Sequence, residues 1–91
     1  MQRIMKHFTS PEFWKYYIKL PTIEKNSANT SFELLKSNPK HPSLRLKRIG
    51  KYWSVRASLY IRALGVSMPG QEGIIWFWIG SHSEYERLLK K

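Results

Sequence analysis

The chain contains no cysteine, which excludes disulfides and thiolate-bound metals. Its three histidines, His7, His41 and His82, have none of the spacing of a zinc site. Long apolar runs are missing too. The longest, Ile74 to Ile79, falls far short of the roughly 20 residues that a membrane-spanning helix needs. The opening stretch Met1-Gln2-Arg3-Ile4-Met5-Lys6 lacks the apolar core of a signal peptide, so the expected location is the cytoplasm, with no membrane association. Acid is the scarcest chemistry: six Asp and Glu stand against sixteen Lys and Arg, a net charge of +10 on 91 residues.

What the chain does have is aromatic and basic. Four Trp, five Tyr and four Phe supply large apolar side chains, and the length suits one domain over residues 1–91 with one core. The basic excess favours polyanionic partners: nucleic acid, the ribosome or an acidic protein.

Periodicity and turn chemistry outline the elements. Residues 3–8, Arg3 to Phe8, read as a short strand. Ser10-Pro11-Glu12 is a helix start, with a capping serine, proline at the first helical position and an acid at the positive dipole end. Phe13, Tyr16, Tyr17 and Leu20 form its apolar face. Pro21 breaks that helix and opens a second, in which Ala28, Phe32 and Leu35 share a face and Ile23 falls out of phase. Asn26, Ser27, Asn29, Thr30 and Ser31 are weak helix formers, which predicts an irregular first half. Asn38-Pro39 and His41-Pro42 end it and force an extended connection. Leu44-Arg45-Leu46-Lys47 alternates as a strand does. Gly50-Lys51 and Met68-Pro69-Gly70 are turns. A hairpin centred on Leu59 sets Arg56 opposite Arg62 and Trp53 opposite Gly65. Ile74 to Ile79, between Gly73 and Gly80, reads as a central strand covered on both faces, with Trp76 and Trp78 on one side and Phe77 on the other. A last helix starts near Ser81 or Ser83.

Several segments, in order, carry a family resemblance: Ser10-Pro11-Glu12-Phe13-Trp14; Asn38-Pro39-Lys40-His41-Pro42-Ser43-Leu44; Tyr52-Trp53-Ser54-Val55-Arg56; Arg62-Ala63-Leu64-Gly65; and Trp76-Phe77-Trp78-Ile79-Gly80-Ser81-His82-Ser83-Glu84-Tyr85. Together they resemble the RelE/ParE superfamily of bacterial toxins. The resemblance implies an α+β domain: two N-terminal helices packed on a mainly antiparallel sheet of about four strands, then a short C-terminal helix. It also implies a toxin neutralised by a cognate antitoxin, through an acidic segment. Members such as RelE, HigB, YoeB and YafQ cleave messenger RNA, mostly in the ribosomal A site; ParE members inhibit DNA gyrase; a diverged member can keep antitoxin binding alone. In the nuclease members an arginine corresponds to Arg62, a histidine or arginine to His82, a basic residue roughly to Arg56, and a tyrosine often assists, for which Tyr85 is the nearest candidate. This chain departs from RelE in having Ser54 and Arg56 where RelE has lysines, and Tyr60 stands where relatives tend to be basic.

The residue types suit metal-free RNA cleavage, with no cofactor. Arginine is planar, always cationic and can grip phosphate with two nitrogens. Histidine titrates near neutrality. Arg56 and Arg62, directly opposed, call for an anion between or beside them. Other assignments stay open: Arg62 paired with Glu84 or Glu86, Tyr85 packing against Trp76 or Trp78, His82 merely packing at the helix start. Arg45, Lys47, Arg48 and Lys51 form a basic stripe that fits either RNA-backbone contacts or a solvated edge that resists strand pairing. His41 reads as a loop residue and His7 as structural or exposed.

Overall fold

The computed structural model describes residues 5–90. Strand β1 (Lys6–Thr9) leads into helix α1 (Pro11–Tyr17) and helix α2 (Thr22–Ser37). Strands β2 (Lys47–Ile49), β3 (Tyr52–Arg56), β4 (Ile61–Ser67) and β5 (Gly73–Ser81) follow, then helix α3 (His82–Leu89). The sheet has five strands, not about four, in the order β1-β5-β4-β3-β2. It is mixed, because β1 lies parallel to β5 while the rest is antiparallel. Part of the expected first strand, Arg3 and Ile4, lies outside the described residues. Among those described, no helix is long and apolar enough to cross a membrane.

Strand β5 is central, between β1 and β4, and covered on both sides as its unbroken apolar run requires. On one side Ile74, Trp76 and Ile79 join Val55, Ala57, Ile61 and Ala63 under Ala28 and Leu35 of α2. On the other, Trp78 packs with Leu64 and Tyr85 of α3, and Phe77 sits beside them. The two tryptophans therefore face opposite ways, against the expectation from strict alternation. The cause is a bulge: Leu64 pairs with Trp78 and Gly65 with Trp76, so Phe77 is the extra residue. The bulge needs Gly65, where an added Cβ would lie 2.5 Å from Ile74 Cγ2 and 2.9 Å from both Ile75 O and the Trp76 ring. Gly80 is under a similar constraint, since a Cβ there would strike the Trp78 ring at 2.5 Å.

Three local expectations also change. Of residues 44–47, expected as a strand, only Lys47 is in one. Pro42 opens a 3-10 turn (Pro42–Leu44), capped by His41 Nδ1 accepting from Ser43 N at 3.2 Å, and Arg45 follows at φ 48°, left-handed and incompatible with a strand. The turn buries Leu44, and β2 begins only at Lys47. Helix α1 is short: it stops at Tyr17, so Leu20 lies beyond it, and Tyr16 is largely exposed while Phe13 and Tyr17 pack inward. Ser10 is its N-cap by position, yet its hydroxyl is buried with no partner. Helix α2, by contrast, forms over its whole length, with Ile23 exposed as its phase requires.

His7 is structural. It sits on β1 under α2, where the Trp76 indole N–H donates to its Nδ1 at 3.1 Å and the rings of Trp76 and Phe32 flank it. Burial first, and the charge of Lys36 second, hold its pKa below the ordinary 6.5. The native state thus resists a proton that the unfolded chain accepts. Its contribution is fully present above the unfolded pKa and is lost as pH falls from there toward the lower native value. Urea midpoints measured between about pH 7.5 and about pH 5 should decline toward acid, and His7→Phe should flatten that decline; an equal slope in the variant would show that His7 is not the group responsible.

Candidate functional site

The β3–β4 hairpin carries the candidate site. Ala57 N and Ser58 N both donate to Ile61 O, at 3.0 and 3.2 Å, closing the turn over Leu59. Helix α2 grips this turn twice: Ser31 Oγ donates to Ala57 O at 2.7 Å, and Ser58 Oγ to Glu24 Oε2 at 3.2 Å. These ties, with Tyr17 Oη on Asn29 Oδ1 at 2.8 Å, explain why a stretch of weak helix formers is helical: tertiary contacts outweigh propensity. Glu24, in the first turn of α2, thus anchors the hairpin turn.

The closed turn fixes the register expected from sequence: Arg56 opposite Arg62 and Trp53 opposite Gly65. Both arginines share the sheet face of Leu64 and Ser54, the face that α3 covers. Arg62 curls back onto its own hairpin, its Nη1 donating to the carbonyls of Ser58, Leu59 and Ile61 at 3.0, 3.4 and 3.1 Å. One nitrogen is thus committed to the turn, and the other N–H groups of the fork remain for a ligand. Burial, then the charge of Arg56 and to a lesser degree of Arg45, push the Arg62 pKa below its ordinary value, partly offset by Tyr85 and Glu86. Neither arginine is in a salt bridge with another described residue. Glu84 serves elsewhere, in the capping box of α3 with Ser81.

Strand β5 ends at Ser81, paired with Ile61, and α3 starts at once with His82. The His82 backbone N–H donates to Tyr60 O at 2.8 Å, tying the helix start to the same turn. Its Nε2 lies 3.1 Å from Glu86 Oε1, one helical turn on, with both side chains about half exposed. Tyr85 is buried at 5% exposure, packs with Trp78 and Leu64, and has its hydroxyl 2.8 Å from Ser54 Oγ, itself 2% exposed. Ser54 and Glu86 as partners of Tyr85 and His82 were not identified from sequence. An inward-facing serine two residues before Arg56 on a strand was the available signal for the first, and the four-residue spacing on a helix for the second.

The basic stripe divides. Arg45 is exposed in the left-handed linker, and its charge reaches Arg62. Lys47 pairs with Ser54 on the edge strand. Arg48 stacks over Trp53, its guanidinium carbon 5.1 Å from the ring centre, and Lys51 lies over Tyr52 at 5.4 Å.

The buried hydroxyl pair yields a stability test. Ser54→Ala or Tyr85→Phe alone leaves a buried oxygen without a partner and should cost about 1–3 kcal/mol. The double variant should cost clearly less than the sum of the two singles. Urea unfolding of the four proteins measures this; additive losses would mean that the hydroxyls do not meet.

No family model matches the sequence, and no curated protein matches it. Solved structures match the fold. A YoeB/ParE toxin from Agrobacterium tumefaciens superposes with a TM-score of 0.63 at 15% identity, over 86% of this chain and 99% of that one. YafQ from E. coli gives 0.67 at 12% identity, over 89% and 97%. A RelB-RelE antitoxin-toxin complex from Methanococcus jannaschii gives 0.65 at 15%, over 89% and 96%. At such identities the likeness speaks for architecture, and in architecture this chain has the RelE/ParE toxin fold.

Proposed function

We propose that this chain is the toxin of a type II toxin–antitoxin pair and that it cleaves messenger RNA on the ribosome as a metal-independent endoribonuclease. The observation that carries the reading is the pair Arg56 and Arg62, opposed on one sheet surface with no salt bridge to another described residue, with His82 starting a helix at the same end of the sheet. Such a pair asks for an anion. In RNA cleavage the 2′-oxygen, giving up its proton, attacks the adjacent phosphorus, and the 5′-oxygen leaves and takes a proton from water, giving a cyclic phosphate and a 5′-hydroxyl. Two guanidiniums offset the negative charge that accumulates on the phosphoryl oxygens. Arg62, held by its Nη1 on three carbonyls, brings an already oriented fork to that task. With Nε2–H on Glu86, His82 keeps a lone pair on Nδ1 for the 2′-hydroxyl proton, and the carboxylate steadies the imidazolium that results. Tyr85, its hydroxyl on Ser54, supports this surface from beneath.

In the same proposal an acidic segment of the antitoxin covers the arginine pair and orders as it binds; the Methanococcus jannaschii relative is itself a complex with its antitoxin. Gyrase inhibition needs no proton-transfer residue, so a supercoiling assay should show no effect. An inactive relative that keeps antitoxin binding alone is the reading that an irregular second helix supports, and α2 is helical throughout Thr22–Ser37.

Brief expression of each folded variant, with growth and messenger RNA ends as readouts, tests the reading. Arg62→Ala should slow cleavage on the order of 100-fold or more through lost charge stabilisation, and His82→Ala roughly 100-fold through lost proton transfer. Arg45→Ala and Lys47→Ala should weaken binding modestly and flatten its salt dependence. Full toxicity in both Arg62→Ala and His82→Ala would remove this site from consideration.

A further inference from the structure

A concavity of about 680 Å³ opens beside Trp53. Trp53 packs against the core beneath the helices, so this groove belongs to the opposite side of β3 from the arginine pair. Pro39, Lys40, His41 and Arg45 from the linker between α2 and β2 line it together with Trp53, and Glu72 is the one carboxylate among its described lining residues. Its rings are held in place before any ligand arrives. The Trp53 indole donates to Ser67 Oγ at 2.9 Å and carries the Arg48 guanidinium over its ring. His41 Nδ1 accepts from Ser43 N at 3.2 Å and lies 2.8 Å from Ser43 Oγ. Lys40 and Arg45 are exposed cations at its wall. Arg45 also belongs electrostatically to the first site, since its charge is felt at Arg62.

We infer that this groove holds one nucleotide of single-stranded RNA, with its base over the Trp53 ring in place of the exposed Arg48 guanidinium and its phosphate at Lys40 and Arg45. The inference rests on the nuclease reading and extends it: the groove takes a nucleotide of the same RNA strand, on the other side of β3 from the one held at Arg56 and Arg62. Fixed flat rings beside exposed cations are the combination that single strands use, bases on aromatic faces and backbone on positive charge. An acidic peptide uses the cations but leaves the rings idle.

An uncleavable 2′-O-methyl oligoribonucleotide of about six nucleotides, within the span that one small domain covers, is the probe. Its affinity is read by fluorescence anisotropy, and the indole N–H signal of Trp53 by NMR. On saturation the Trp53 signal should move. Trp53→Ala should weaken binding roughly 10-fold or more, and an abasic oligomer should lose a similar factor. Lys40→Ala, at an exposed position that leaves folding intact, should lower the slope of log affinity against log salt by about 0.7. Binding without movement of the Trp53 signal, and with an unchanged salt slope in Lys40→Ala, would overturn the inference. So would a polyglutamate peptide that moves that signal where the oligomer does not. Cleavage of messenger RNA that Lys40→Ala and Trp53→Ala leave at wild-type oligomer affinity would sink the groove and spare the nuclease. Oligomer binding in the groove by a protein that never cleaves would do the reverse.

Discussion

The register of β3 on β4 is the constraint from which the arrangement follows. It sets two arginines against each other, which a sheet resists, and it survives because slipping costs more. A slip of one residue would turn every β4 side chain to the other face, driving Arg62 under the helices and putting Leu64, now 2% exposed, where Ala63 packs. Each buried side chain of that size is worth about 1.5–3 kcal/mol, while like-charge opposition in a half-solvated pair costs less than a kilocalorie or so. Apolar packing thereby holds two cations together against their repulsion.

The same hairpin turn gathers the remaining parts. Its carbonyls hold Arg62, Tyr60 O receives the first amide of α3, and α2 holds Ala57 and Ser58 from the other side. A helix that reads as marginal in isolation and a helix that starts without any loop are both fixed on one turn of the chain. The bulge at Phe77 completes the layout by turning Trp78 toward α3, where it packs with Tyr85 beneath the exposed surface.

Much of this was legible beforehand. Turn residues and strand alternation fixed the Arg56–Arg62 and Trp53–Gly65 pairings, the central strand and the start of α3. Most of the misses depended on contacts distant in sequence, and one on a local turn. The bulge at Phe77 brings Ile74 and Trp76 of the neighbouring strand so close to Gly65 that only glycine fits there. The loss of a strand at 44–46 comes from Pro42 and His41 closing a tight turn, after which Arg45 takes a left-handed backbone that alternation cannot signal. The parallel pairing of β1 with β5 joins residues more than sixty positions apart. For the site, residue types and register were readable, whereas the partners of Tyr85 and His82, and the carbonyl cradle of Arg62, are tertiary facts.

The central claim is that the opposed arginines are an anion site kept under repulsion. A double-mutant cycle on Arg56→Gln and Arg62→Gln, with stability measured by urea unfolding in anion-poor buffer and again with the saturating 2′-O-methyl oligomer, tests it most directly. The coupling between the two arginines should be unfavourable in the free protein and favourable in the complex. A coupling of the same sign in both states would contradict the claim.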